Sequence, residues 1–309
     1  MNPAIVCGSA HPALGERIAG ALGVSPCDRS IERFPDGEMR IVLREPVRGR
    51  DVYVVQPTSA PVGEHLLELA MLGDAAVRAG ASRVIAVVPY FGYARADRRQ
   101  SEGEPLAGRL AADLIGAAGF ARMVVVDLHA PAIEGFFRMP VEHLEPQPAV
   151  IAALRPVLPE RAVVVSPDLG GAKRADAFGR KLGLPVAIVH KQRTSGSDVA
   201  AVRITGDVEG LAPVIVDDMI STGGTIAAAI GALKKHGARD DVTVVATHGL
   251  FAAAALDRLG PLVTRFVVTD TVPPPASERV IVAGLAPLLA DAIRRLHEGQ
   301  SLNGLLRES

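Results

Sequence analysis

Strand and helix signals alternate along this 309-residue chain, and they imply an α/β fold of two tandem domains, each a mostly parallel sheet flanked by helices. Short β-branched apolar runs carry that reading, at Met123 to Val126, Val163 to Val165, Val186 to Val189 and Pro213 to Val216. An internal likeness extends it. Residues 52–91 and 214–251 follow one plan: strand, loop with a threonine, helix, Gly-Ala break, strand, aromatic. The segment Glu145-Pro146-Gln147-Pro148 interrupts local structure, so the domains are expected at 1–147 and 148–309.

Taken in order, Asp36-Gly37 reads as a hairpin turn. In the first copy of the repeated plan, Leu66, Ala70, Gly73 and Val77 mark a helical stripe; in the second, Ile226, Ile230 and Leu233 do. Lys234, Lys235 and His236 before Gly237 have the composition of a helix C-terminus. Residues 194–199, Thr-Ser-Gly-Ser-Asp-Val, are polar and short-chained, as a mobile loop is.

Composition narrows the function. Lys+Arg 33 against Asp+Glu 34 leaves no basic excess to hold nucleic acid. Cys7 and Cys27 have no metal-ligand spacing, and two cysteines make no disulfide framework. No apolar run reaches the roughly eighteen residues of a membrane span, and Met1 to Leu22 lacks the basic start of a signal peptide. A soluble cytoplasmic protein is expected, with no membrane partner.

The most specific stretch is VIVDDMISTGGTI, residues 214–226. A buried strand leads into Asp217 and Asp218, and residues 217–224 read as a strand-to-helix loop, where open α/β sheets bind ligands. Gly223 and Gly224 let the backbone approach a ligand closely. With the hydroxyls of Ser221, Thr222 and Thr225, the N–H groups of the turn form an anion cradle at a helix N-terminus. Carboxylates beside an anion site make sense only if the ligand also brings hydroxyls or a metal ion. A phosphorylated sugar is the simplest molecule with both faces. The first copy has Gln-Pro-Thr at the equivalent place and is expected to be scaffold.

This stretch resembles the phosphoribosyl-diphosphate loop of phosphoribosyltransferases. RFPDGE (33–38), PYFGYARADRR (89–99), VDLHAPAIEGFFRMPVE (126–142), SPDLGG (166–171) and HKQR (190–193) narrow the resemblance to the ribose-phosphate diphosphokinases, over nearly the whole chain. The resemblance implies two phosphoribosyltransferase-like domains with an active site between them. It also implies transfer of the diphosphoryl group of ATP to O1 of ribose 5-phosphate with Mg2+, giving phosphoribosyl diphosphate and AMP. By position, Lys191 and Arg193 would be catalytic, and Arg193 would also touch the sugar phosphate. Asp217 and Asp218 would face the ribose, and Ser221, Thr222, Gly223, Gly224 and Thr225 its 5-phosphate. His129 and Asp168 correspond to metal positions. Phe34, Asp36, Gly37, Glu38, Arg95 and Ala96 correspond to the ATP site, with Phe34 against the adenine. Ala96, Ala132, Glu142, Gln192 and Ser221 depart from the family's usual residues. A homo-oligomer is implied, built from dimers and often hexameric. Alternatives are a phosphoribosyltransferase that consumes the diphosphate and a catalytically silent relative. Glu102 and Glu104 stand where many family members carry cations for a regulatory phosphate, which predicts activity without added phosphate.

Overall fold

A computed structural model describes residues 2–191 and 202–306. The chain forms two compact units. The first contains Met1–Pro146, Thr271–Pro273 and Leu285–Ser309; the second contains Gln147–Asp270 and Pro274–Gly284. The final helix therefore belongs with the N-terminal unit, which a single border at 147 does not anticipate.

The first unit begins with β1 (Ala4–Cys7) and α1 (Pro12–Ala21), followed by the hairpin β2 (Arg29–Arg33) and β3 (Met39–Leu43). Next come β4 (Asp51–Val55), α2 (Val62–Arg78), β5 (Arg83–Val88), α3 (Ala107–Ala117), β6 (Arg122–Val126) and β7 (Val141–Leu144). Its main sheet is parallel throughout, in the order β1-β4-β5-β6-β7, while the β2–β3 hairpin forms a separate antiparallel pair. Val52 to Val55 are fully buried, as expected of a strand covered on both faces.

Helix α2 buries Leu66, Glu68, Leu69, Leu72, Gly73 and Ala76, whereas Val77 is exposed and Ala70 only partly buried. The expected stripe is thus rotated. Nearly every residue from 66 to 77 is apolar or small, so the pattern alone permits two faces. Packing selects one of them: a Cβ on Gly73 would lie 2.6 Å from Phe120 Cζ, so the glycine seats this ring.

The second unit runs α4 (Gln147–Leu154), β8 (Ala162–Ser166), α5 (Ala172–Leu182), β9 (Val186–Lys191), β10 (Val202–Thr205) and β11 (Ala212–Ile220). It continues with α6 (Gly224–Lys235), β12 (Thr243–Gly249), α7 (Ala255–Leu259), β13 (Arg265–Thr269) and β14 (Val280–Ala283); α8 (Ala286–Glu298) returns to the first unit. The strand order is β10-β9-β8-β11-β12-β13-β14, all parallel except β10, which pairs antiparallel with β9. Apolar side chains pack both faces of this sheet. Ile215, Val244, Phe266 and helix α6 lie on one side; Val164, Val214, Val245 and Phe178 lie on the other.

Residues 52–91 and 214–251 fold as the repeated plan requires, as β4-α2-β5 and β11-α6-β12, each with its two strands adjacent and parallel. Chain order reverses only in the second sheet. After β8 the chain moves to β9 on one side, then crosses to β11 on the other. The carboxyl ends of β8 and β11 therefore flank a topological switch point, where open parallel sheets leave a crevice.

Candidate active site

Strand β11 is longer than its sequence suggests. Asp217 and Asp218 lie inside it, not in the following loop, because pairing with β12 continues through Asp217↔Ala246, Met219↔His248 and Ile220↔Gly249. On its other edge, pairing with β8 stops at Ile215↔Val165. The last four residues of β11 thus project past the end of β8, and both acids sit where the second neighbour has left the ladder.

The loop after β8 fills the space alongside. Ser166 Oγ donates to the carbonyl of Asp168 at 2.7 Å, and the Gly171 N–H donates to Asp168 Oδ1 at 3.1 Å, fixing the carboxylate at the start of α5. A Cβ at 171 would come within 2.6 Å of Ser166 Oγ, so a larger residue there would displace the hydroxyl from its bond to Asp168. Asp217 Oδ1 accepts the backbone N–H of Asp218 at 2.9 Å. Burial above all, then the carboxylate of Asp218 and more weakly that of Asp168, push Asp217 up to about 8. Three acids from two adjacent strand ends thus create a field that favours a proton, a cation or hydroxyl donors.

Beyond Ile220 the turn is short. Gly223 takes a left-handed conformation (φ 78°) and caps α6, whose free N–H groups face the turn. Thr222, Gly224 and Thr225 are exposed, Ser221 is partly exposed, and Gly223 is buried against Leu259. Two contacts brace the turn from behind. Arg258 Nη1 donates to the Thr222 carbonyl at 2.8 Å, and the Phe251 N–H donates to that of Ile220 at 2.9 Å. The result is an open cradle of N–H and hydroxyl donors directly after the strand end that carries the partly exposed Asp217 and the buried Asp218. Lys191 ends β9, which runs parallel to β8, so the chain leaves the sheet at the same end as Asp168. Arg193 and the predicted loop 194–199 lie outside the described residues.

The corresponding end of the first sheet is closed by its own side chains. The fully buried Glu68 accepts the Ser9 N–H at 2.6 Å, the Ser9 hydroxyl at 2.5 Å and Gln56 Nε2 at 3.0 Å, while Gln56 Oε1 accepts the Ala10 N–H at 3.0 Å. A carboxylate already occupies the donors of that strand-to-helix turn. Nothing in the local sequence reveals this, because Glu68 lies on a helix 59 residues beyond Ser9.

Phe34, Asp36, Gly37 and Glu38 form the tip of the β2–β3 hairpin. Gly37 N–H donates to the Phe34 carbonyl, Phe34 N–H to that of Glu38, and Glu38 N–H to Asp36 Oδ1. Phe34 is 45% exposed, so it is not a core residue. An ion pair of 2.6 Å between Arg33, the last residue of β2 before the tip, and Glu64 ties this end of the hairpin to α2. Arg95 and Ala96 follow β5, with Arg95 exposed, and His129 is exposed in the turn after the neighbouring β6. Both turns therefore leave the first sheet at the same end.

Among the described residues, no three His, Cys, Asp or Glu side chains form a closed metal cage. The oxygen donors present suit a hard divalent cation that keeps waters and takes substrate phosphates as further ligands. Sequence reasoning missed the buried Asp270 at the end of β13 and the His143–Glu134 pair beneath the His129 turn.

Comparisons with known proteins agree along the chain. Residues 3–119 match the family profile of the N-terminal domain of ribose phosphate pyrophosphokinase, and residues 194–307 match that of the phosphoribosyl synthetase-associated domain. The chain is 42% identical to a ribose-phosphate pyrophosphokinase of Caldanaerobacter subterraneus, covering 97% of this chain and 96% of that one. It is 41% identical to one from Aquifex aeolicus, over 97% and 98% respectively. The crystal structure of phosphoribosylpyrophosphate synthetase from Mycobacterium smegmatis superposes with a TM-score of 0.90 at 37% identity, covering 97% of this chain and 100% of that one.

Proposed function

Since this chain belongs to the ribose-phosphate pyrophosphokinase family, we propose how its residues divide the labour of diphosphoryl transfer from ATP to ribose 5-phosphate. The observation that carries the assignment is the juxtaposition at the β8/β11 switch point. There, Asp217 and Asp218 close the end of β11 directly before the open N–H cradle of residues 221–225, with Asp217 the more exposed of the two.

In this reading the cradle takes the 5-phosphate, and the carboxylates accept hydrogen bonds from the ribose hydroxyls. Held at both ends, the sugar presents O1 in a fixed direction, so much of the barrier is removed by orientation. Transfer makes little covalent demand on the protein, since O1 bonds the β-phosphorus as AMP departs. Lys191 and Arg193 would neutralise charge that builds on the phosphate oxygens. Phe34, Asp36, Gly37, Glu38 and Arg95 would hold the nucleotide, with the exposed Phe34 ring available to the adenine. The metal would be Mg2+, for which Asp168 and His129 are the candidate positions, each within its own unit, and when bound it shields the ATP phosphates. We further propose a cytoplasmic homo-oligomer. Exposed Leu67, Val77, Leu110 and Leu114 on α2 and α3 support an apolar contact face.

The decisive experiment follows AMP release from ATP with Mg2+. Release that depends on ribose 5-phosphate and yields phosphoribosyl diphosphate supports the reading. Turnover only of phosphoribosyl diphosphate with a base, or no turnover at all, overturns it.

A further inference from the structure

We propose that His143 is a positioning residue that holds the His129 turn in shape. The proposal rests on the reading that His129 serves the metal–nucleotide site.

At the end of β6 the chain turns abruptly. Asp127, buried and not a glycine, adopts φ 46°, a left-handed conformation that aspartate enters as a single residue where its surroundings hold it. The turn swings the Leu128 N–H out of the strand ladder, and a buried N–H needs a partner. That partner is a side chain: the Leu128 N–H donates to His143 Nε2 at 2.9 Å. His143 lies on β7, opposite Val125, and is 5% exposed. Its other ring nitrogen, Nδ1, is 2.7 Å from Glu134 Oε1 in the short 3-10 turn Pro131–Phe136.

These two contacts define one state of the ring. Nε2 accepts, so it carries no proton; Nδ1 must carry it and donates to the carboxylate. Glu134 thereby fixes the tautomer, the tautomer fixes an acceptor under Leu128, and that acceptor holds the left-handed Asp127 turn. Leu128 is buried and cannot swing outward, so its neighbour His129 is the exposed residue that the turn presents. A shift of that backbone by a fraction of an ångström would misplace His129 without unfolding the sheet.

The test uses two substitutions that each keep one end of the relay. The amide oxygen of glutamine reaches the position of Nε2, whereas that of asparagine reaches only the position of Nδ1. His143→Gln should stay within about threefold of the parent, and His143→Asn should lose at least about tenfold in kcat/KM for the metal–ATP complex. KM for ribose 5-phosphate and the unfolding midpoint should be alike in the two variants. The Glu134 side chain is 42% exposed, and Glu134→Ala, with its unfolding midpoint checked beside the parent's, should lower the same parameter several-fold by freeing the tautomer. Equal activity of the Gln and Asn variants, or full activity of Glu134→Ala, overturns the positioning role. His129→Ala is the control. Full activity of that variant would remove His129 from the site and the proposal with it, whereas a large loss there beside an unaffected His143→Asn refutes His143 alone.

Discussion

Asp217 and Asp218 are consecutive residues of one strand, and the first carboxylate accepts the backbone N–H of the second at 2.9 Å. Alternation along a strand normally sends neighbouring side chains to opposite faces. Here the strand has lost its β8 partner, and burial together with the second acid raises the affinity of Asp217 for a proton.

A pH dependence follows. A carboxyl whose pKa is raised from 3.8 to about 8 binds a proton in the folded protein that the unfolded chain has already released. Between those values the unfolded state holds fewer protons, so the stability of the ligand-free protein should fall as pH rises from about 4 to about 8. Asp51, lowered by its hydrogen bond to Arg83, acts oppositely, but only below the ordinary carboxyl range. Unfolding midpoints at pH 5 and pH 8, for the parent and for Asp217→Asn, isolate the effect. The parent should lose more stability across this interval than the variant.

The same substitution tests the sugar site. Asparagine preserves shape but removes the charge that strengthens hydrogen bonds from hydroxyls, worth about 1.5–3 kcal/mol. Ribose 5-phosphate should bind about tenfold or more weakly, measured by calorimetry with Mg2+ present. Unchanged affinity would place the ligand elsewhere.

Gly223 offers a backbone test. Alanine there faces φ 78° and places Cβ 2.8 Å from Leu259 Cδ1. The left-handed conformation alone costs about 1–2 kcal/mol, and relief would distort the cradle. Gly223→Ala should raise KM for ribose 5-phosphate while leaving KM for ATP nearly unchanged.

For Lys191, a role in neutralising transition-state charge predicts a fall in kcat of at least about a hundredfold on Lys191→Ala. KM for ribose 5-phosphate should move far less. Steady-state rates of AMP formation decide it, and a near-normal kcat would exclude the residue from the mechanism.

Activity should not require inorganic phosphate. Glu104 Oε2 already accepts the N–H groups of Gln100 and Ser101, at 2.6 and 3.1 Å, so a carboxylate occupies donors that an anion would need. Initial rates in a phosphate-free buffer should match those with phosphate added. Activity that appears only on adding phosphate would show a working regulatory site despite Glu102 and Glu104.

Much of this protein was determined locally and can be read from its residues. A β-branched run must be strand, Gly223 permits the left-handed cap, Lys234 and Lys235 suit the end of α6, and Asp36-Gly37 closes a hairpin. Each of these depends on contacts within a few positions, so short stretches specify them. The repeated strand-helix-strand plan was legible for the same reason.

Tertiary structure decided what depends on partners distant in sequence. Pairing with β12 carried β11 through both acids, and packing against Phe120 chose the buried face of α2. Strand order brought Asp168 beside Asp217, closed the first sheet's turn with Glu68, and set His143 beneath Leu128. The physical reason is common to all of them. Burial and hydrogen-bond satisfaction are properties of a neighbourhood, and a linear sequence does not state which residues will share one.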